Sequence, residues 1–202
     1  MQIEKFLSDF MLIWATVDPI GTLALFAGVT AKLNADERRK TAIKAILYST
    51  AILVGAIVFG QIILKAMGIH LQALQAAGGI ILFLFGLQMV FGNLESTLSS
   101  APEEGHDMAV FPLAVPSIAS PGAITAVILI TDNDVYPIMT QVGTVAMLLI
   151  VLVITCLLML SATRVLHVMG KNGASILIRV MGLILAALSV QMIYQAFGGV
   201  FA

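Results

Sequence analysis

The sequence is poor in charged residues, with one cysteine, three histidines and one tryptophan among 202 residues. Charged residues make up 10 % of the chain, against about 25 % in a typical soluble domain. The single cysteine, Cys156, excludes a disulfide framework and a cysteine-ligated metal site within the chain. The net charge of −1 excludes a basic nucleic-acid-binding surface. The histidines fall in three different connections, so we expect neither a metal centre nor a cofactor.

Long apolar runs dominate the rest of the sequence. Hydrophobic residues make up 60 % of the chain, and the mean hydropathy is +1.06. A membrane-spanning helix needs about 20 mostly apolar residues. The sequence therefore predicts an all-α integral membrane protein in a lipid bilayer, with six spans. Their expected ranges are 5–31, 42–65, 72–92, 109–131, 138–162 and 175–197.

Lysine and arginine are distributed unevenly between the two ends of the predicted bundle. Only Lys5 and Lys65 lie at the end that carries the termini, and the other eight basic residues lie at the opposite end or close to it. Because basic residues favour the cytoplasmic side, both termini are expected outside the cytoplasm. At the N-terminus, Glu4 and Lys5 offset each other and the apolar run continues into a full span, which does not fit a cleavable signal peptide.

The two halves of the chain resemble each other. Pro19 and Pro121 are 102 positions apart, and Gln88 and Gln191, each followed by methionine, are 103 apart. These matches divide the chain into two halves of three spans each, 1–100 and 101–202. Because each half has an odd number of spans, the second half enters the membrane from the opposite side. The sequence thus predicts inverted repeats, a plan that recurs in secondary transporters.

A proline follows a helix-capping residue near the middle of spans one and four. Asp18 precedes Pro19, and Ser120 precedes Pro121. Proline removes a backbone hydrogen bond inside a helix, yet it suits the first helical position after an aspartate or serine cap. Both motifs therefore predict a helix that ends and restarts near the middle of the membrane.

Two helix N-termini that meet inside a membrane would form a polar site. Their N–H groups suit a carboxylate, and the carbonyls freed by each break can accept from an ammonium group. We regard Asp18 as the only acidic residue in the middle of a span, where a charge costs at least ~2.5–3.5 kcal/mol. We expect it to bind the substrate ammonium and to couple transport to protons. The expected substrate-binding residues are Asp18, Pro19, Ile20, Gly21, Thr22, Ala119, Ser120, Pro121, Gly122 and Ala123. Further candidates are Thr16, Val17, Gln88, Thr125 and Gln191.

The broken spans are also compatible with roles besides amino acid transport. Proline often only kinks a membrane helix, and Asp18 could merely cap its half-helix in a scaffold that transports nothing. Efflux of another small metabolite or of a drug is a further alternative, although an aromatic content of 7 % disfavours bulky substrates. An enzyme needs a nucleophile with a base, paired carboxylates or a metal. Since the spans are expected to hold one aspartate and no histidine, we do not expect an enzyme.

At these residues the sequence resembles the MarC family of bacterial and archaeal inner-membrane proteins, also described as neutral amino acid transporters. The resemblance runs the whole length. It is carried by the Asp18-Pro19-Ile20-Gly21 motif, the segment from Pro116 to Gly122, the Gly78-Gly79 segment, and the segment from Met181 to Met192.

The resemblance implies a multi-pass protein of the bacterial inner (plasma) membrane with periplasmic termini. It also implies transport, with export expected, of small neutral amino acids such as glycine and alanine, by alternating access between the repeats. The sequence sets no oligomeric state. Thr22 and Ala24 stand where family members often carry asparagine and proline. If that asparagine binds substrate, Thr22 changes the selectivity.

Overall fold

The computed structural model describes residues 2–92 and 107–198, and the regular secondary structure there is helical. In chain order the helices are α1 (Gln2–Val17), α2 (Pro19–Val29), α3 (Ala35–Ala66), α4 (Leu71–Phe91), α5 (Ala109–Ile118), α6 (Pro121–Ile130), α7 (Ile138–Leu160) and α8 (Ala162–Phe197). The all-α expectation is confirmed. The expected connection over 93–107, apart from Asp107, and the expected boundary between the halves lie outside the described residues.

Five stretches of the described residues are long and apolar enough to cross a membrane, and the α5–α6 pair makes a sixth if it counts as one span. The first stretch takes α1 and α2 together, over Glu4–Val29, whereas α5 and α6 meet at 53°. Large apolar side chains such as Leu47, Phe59 and Leu157 remain exposed on the outer faces. A soluble monomer rarely exposes so much apolar surface, so these faces suit lipid.

The predicted break in the first span is confirmed at Asp18. Asp18 has a left-handed backbone, with φ 47° and ψ 71°, and its carboxylate accepts a hydrogen bond from the backbone N–H of Gly21. Pro19 occupies the first position of α2, where its missing N–H needs no partner. Local chemistry alone therefore ends one helix and starts the next.

The predicted break in the second half is confirmed at Ser120, but the helix before it is irregular. Ser120 is extended, and its Oγ accepts a hydrogen bond from the N–H of Ala123. Phe111 and Val115 have extended backbones inside α5, because each precedes a proline, which disfavours the helical conformation of its neighbour. The second half-span is therefore more distorted than the first.

One expected span and one expected connection are wrong. α3 begins at Ala35 rather than at 42, because Asn34 and Glu37 form a reciprocal capping box. α8 begins at Ala162, so the connection expected over 164–173 is helical, whereas the expected span over 175–197 is confirmed. A helix tolerates polar residues and single glycines, each of which costs about 1 kcal/mol or less. Polarity there marks the limit of the apolar run and not the end of the helix.

The two broken spans run antiparallel and touch along their length. The ammonium of Lys5 donates to the backbone carbonyl of Ile130 at 3.2 Å, near the start of α1 and the end of α6. The hydroxyl of Ser120 donates to the carbonyl of Thr16 at 3.0 Å, near the end of α1 and the start of α6. The main hydrophobic core surrounds these segments, with α3 and α7 on their outer side.

The most extensive packing is between α4 and α8, which also run antiparallel. A Cβ atom on Gly86 would lie 2.8 Å from the carbonyl oxygen of Gly182, and one on Gly79 would lie 3.0 Å from the carbonyl oxygen of Ser189. Glycine therefore permits backbone contact at two levels of this crossing, as in other membrane helix pairs.

We expect Gly86→Ala to destabilise the fold by about 1–3 kcal/mol, the usual range for overpacking. The added methyl would meet backbone atoms of Gly182 and Ala186, which cannot rotate away. Thermal unfolding of the detergent-solubilised protein measures the change. Gly55→Ala on α3 is the matched control, because a Cβ there meets nothing within 4 Å. Equal melting temperatures for the two variants would contradict the tight crossing.

Ion pairs at both ends of the bundle join α3 to the residues just before α5 and between α6 and α7. Lys65 pairs with Asp134 at 2.9 Å at one end, and Lys44 pairs with Asp107 at 3.1 Å at the other. The N–H of Ala109 and the ammonium of Lys44 hold the pKa of the Asp107 carboxyl below its usual range. Lys5 and Lys65 both lie near the connection between α6 and α7. These two lysines therefore share one end of the bundle, and Lys44 lies at the other end.

Candidate functional site

Asp18 holds a carboxylate inside the protein where α1 gives way to α2. Its residue exposure is 4 %, and its Oδ1 lies 3.0 Å from the N–H of Gly21. A Cβ on Gly21 would collide with the same carboxylate. The Asp-Pro-x-Gly motif therefore does two things: it starts α2, and it leaves room for the carboxylate against the first turn of that helix.

Gly21→Ala is expected to displace the Asp18 carboxylate and break its hydrogen bond to the residue 21 N–H. A hydrogen bond to a charged group is worth about 1.5–3 kcal/mol, so we expect the free energy of unfolding to fall by about that amount. Thermal unfolding of the detergent-solubilised protein measures the loss. Gly55→Ala again serves as the control, and a Gly21→Ala variant with unchanged stability would contradict this role of the motif.

Side-chain hydroxyls connect the two breaks directly. Thr22 Oγ1 and Ser117 Oγ lie 3.0 Å apart, and they belong to α2 and α5. Ser120 completes a second connection by donating to the carbonyl of Thr16. The two broken segments, about a hundred residues apart in sequence, therefore meet in space. The sequence pattern predicts this meeting, and the contacts confirm it.

A cavity of about 260 Å³ opens beside the first break, and we call it the break cavity. Its polar lining consists of Asp18, Thr22, Gln88 and Ser117, together with the glycine at 21. The rest of the lining is apolar and comes from α2, α4, α5 and α8. No lysine, arginine or histidine is among the described residues that line it. The cavity therefore offers one negative charge and neutral donors, which suits a group carrying a positive charge.

The residues of the second break lie outside this cavity. Ser120, Gly122 and Ala123 are buried, and the N–H of Ala123 is already bonded to the serine hydroxyl. A Cβ on Gly122 would touch the side chain of Leu82. The N-terminus of α6 is thus packed against α4 in this conformation. The sequence predicts that the N-terminus of α6 faces the same space as Asp18, and in this conformation it does not.

The remaining predicted residues differ in their burial and in their neighbours. Thr16, Val17, Pro19 and Ala119 are buried, Ile20 is half-buried and Pro121 is exposed. Thr125 donates to the carbonyl of Pro121 at 2.9 Å and packs beside Gly78. Of the polar candidates, only Asp18, Thr22 and Gln88 share the break cavity. Ser117, which is not among the predicted binding residues, joins them there; its place two residues before Ala119 is the sequence signal for it.

Gln191 lines a second, larger cavity of about 860 Å³, which we call the glutamine cavity. Gln75 and Gln195 also line it, and the amide of Gln75 donates to the side-chain oxygen of Gln195 at 3.3 Å. Trp14 and Ala15 form part of its wall. The two repeat-related glutamines, at 88 and 191, therefore occupy different cavities and do not converge on one site.

A second carboxylate, that of Asp9, is buried near the start of the first span, so the expectation that the spans hold one aspartate is wrong. Asp9 is 4 % exposed. It accepts hydrogen bonds from Lys5 at 2.7 Å and from the hydroxyl of Thr144 at 2.6 Å. Lys5 also lies 3.9 Å from the centre of the Tyr136 ring. The four-residue spacing of Lys5 and Asp9 is the sequence signal for this pair. Asp18, in contrast, bonds to a backbone N–H.

The sequence comparisons agree with this architecture. The model of the MarC family integral membrane proteins matches residues 3–201. The chain belongs to the MarC family. A UPF0056 membrane protein of Methanocaldococcus jannaschii is 37 % identical over 98 % of both chains. The UPF0056 membrane protein YvbG of Bacillus subtilis is 33 % identical over 95 % of this chain and 93 % of its own. No solved structure matches the chain significantly.

This MarC-family protein is therefore a multi-pass integral membrane protein, as the apolar helices require. Among its described residues no three or more histidine, cysteine, aspartate or glutamate side chains are grouped as a metal site would need. The polar chemistry of the break cavity rests on one carboxylate, two hydroxyls and one amide.

Proposed function

We propose that this MarC-family protein is a secondary transporter of small neutral amino acids such as glycine and alanine, working in the export direction. The observation that carries the proposal is the buried Asp18 carboxylate on the wall of the break cavity. An amino acid ammonium would sit against this carboxylate. The hydroxyl of Ser117 and the amide of Gln88 supply neutral donors for the substrate carboxylate.

The size and charge of the break cavity support a small substrate. Its volume of about 260 Å³ lies below the ~300–1,000 Å³ of pockets that hold drug-sized ligands. A purely anionic solute would be repelled by Asp18. A small zwitterion fits both limits, and the drug-efflux alternative is disfavoured. The scaffold alternative is disfavoured as well, because the first break lines a cavity and is not closed by packing.

The order of helices supports inverted repeats of residues 1–100 and 101–202, with six spans. Each half contains a broken pair of helices followed by two long helices. The related broken pairs contact each other in antiparallel orientation, and so do the related helices α4 and α8. Contact between related elements is what a two-fold axis in the membrane plane would produce. Alternating access by rocking of the repeats follows from that symmetry.

The distribution of charge supports an orientation in the bacterial inner membrane with both termini periplasmic. The end that carries Lys44 and Asp107 is the more basic one and is proposed to face the cytoplasm. The break cavity lies toward that end, since it reaches the last turn of α4. We further propose that the chain is not an enzyme, that it uses no cofactor, and that protons couple to transport through Asp18.

Counterflow in proteoliposomes tests the function directly. Vesicles loaded with unlabelled glycine, alanine or serine should take up the labelled form of the same amino acid, and empty vesicles should not. Exchange should fall for aspartate, which brings an extra negative charge to the wall that carries Asp18. A folded protein that exchanges none of the three small amino acids would refute the amino acid proposal.

A further inference from the structure

The two cavities have related linings in the two halves of the chain. Phe85, Gln88 and Met89 of α4, with Gly92 just after it, line the break cavity. The α8 residues 103 positions later, Leu188, Gln191, Met192 and Gln195, line the glutamine cavity. In return, Ile178 of α8 lines the break cavity and Gln75 of α4, at the same offset, lines the glutamine cavity. The cavities are thus counterparts, built from equivalent positions of each half.

These counterpart cavities approach each other at the first break. The glutamine cavity reaches Ala15 and the break cavity begins at Asp18. Three residues of helix rise about 4.5 Å, so the barrier between the cavities is thin along this span. Thr16 and Val17 fill it and are buried. The hydrogen bond from Ser120 to the carbonyl of Thr16 ties the barrier to the second break.

We propose that the glutamine cavity is the second half of one solute path, closed in this conformation at the contact between Thr16 and Ser120. Its polar lining consists of one carboxylate, two hydroxyls and three carboxamides, from Asp132, Ser8, Tyr136, Gln75, Gln191 and Gln195. One carboxylate among neutral polar groups suits a zwitterionic solute. The inference rests on the proposed transport function. It assigns a role to a cavity that does not contain Asp18.

The repeat also identifies which residues line the path when it opens on the other side. Gly21 and Thr22 line the break cavity, and their counterparts 102 positions later are Ala123 and Ile124. Ala123 is 0 % exposed here. In the second conformation these two residues face the glutamine cavity, and the N-terminus of α6 becomes accessible from that side.

Cysteine labelling tests this path. After Cys156→Ala, single cysteines replace Gln88, Gln191, Ala123 or Ile124, and a membrane-impermeant methanethiosulfonate is added to vesicles of either orientation. Gln88→Cys should react from the end of the bundle near Lys44, and Gln191→Cys from the opposite end. Ala123→Cys and Ile124→Cys should react from the same end as Gln191→Cys. They should react roughly 10- to 1,000-fold more slowly, because a minor conformation is ~0.1–10 % populated.

Ala45→Cys is the matched control, since Ala45 is as buried as Ala123 and lines neither cavity. Two results would overturn the proposal: reaction of the two glutamine positions from the same side, or Ala123→Cys and Ile124→Cys as inert as Ala45→Cys. Labelling needs no substrate. If the cysteines react from the expected sides but no amino acid counterflow occurs, the path is supported and the proposed substrate is rejected. If counterflow occurs but the cysteines do not react from the expected sides, the substrate is supported and the path is rejected.

Discussion

Asp18→Asn is expected to reduce amino acid counterflow roughly 10- to 150-fold, which corresponds to the loss of one charge-assisted contact of about 1.5–3 kcal/mol. Asparagine keeps the shape of the side chain and can still accept from the Gly21 N–H, so α2 should still begin at Pro19. What it removes is the negative charge on the wall of the break cavity. The fold should therefore survive while binding of the ammonium is lost.

The same variant separates two roles of Asp18. If the carboxylate binds the ammonium, both counterflow and accumulation driven by a pH gradient are lost. If it only carries the coupled proton, counterflow persists and gradient-driven accumulation is lost. Asp134→Asn is the control, because this carboxylate is exposed, pairs with Lys65 and lines neither the break cavity nor the glutamine cavity. Wild-type rates of both processes in Asp18→Asn would reject a role for Asp18 in transport.

Asp9→Asn, unlike Asp18→Asn, should destabilise the fold and leave transport intact. The expected loss of stability is about 3–5 kcal/mol, the cost of breaking a buried ion pair. The variant leaves the Lys5 ammonium without its carboxylate partner at a position where its side chain is 18 % exposed. It also weakens the bond from Thr144. Thermal unfolding in detergent measures the loss, and the folded fraction should still exchange amino acids.

A second substitution shows whether the cost comes from the stranded charge. Replacing both members of the pair, as in Lys5→Met with Asp9→Met, should recover much of the stability, because no buried charge then lacks a partner. If the double variant is as unstable as the two single changes added together, the pair does not act as a unit. Asp9 and Asp18 lie on one broken span with equal exposure, so this comparison isolates what each carboxylate does.

The sequence predicts the breaks well because their chemistry is local. Asp18 before Pro19 and Ser120 before Pro121 each combine a capping side chain with a residue that starts a helix, and both side chains bond within three residues. The meeting of the breaks is also predictable, since matched interruptions in two halves of a membrane protein need each other to satisfy freed backbone groups. These inferences require no knowledge of packing between distant helices.

The sequence predicts less well which neighbour each side of a helix contacts. The sequence cannot tell that Gly122 faces Leu82 while Gly21 faces a carboxylate, because both glycines follow the same kind of cap. The burial of Asp9 has the same origin, since a lysine–aspartate pair four residues apart is usually a surface feature. Its burial depends on residues distant in sequence, such as Thr144 on α7, whose hydroxyl donates to it. The start of α3 is different, because the Asn34–Glu37 capping signal is present in the sequence.

The glycine contacts between α4 and α8 have a mechanical consequence. Gly79 and Gly86 bracket the middle of α4, and their closest neighbours belong to α8. Two helices that touch backbone to backbone at their centres act as a fulcrum with arms on both sides. At 1.5 Å per residue, each arm of α4 is about 10–15 Å long, so a tilt of about ten degrees moves its ends by roughly 2–3 Å in opposite directions. Such a tilt would narrow one mouth as it widens the other, while the crossing itself stays still.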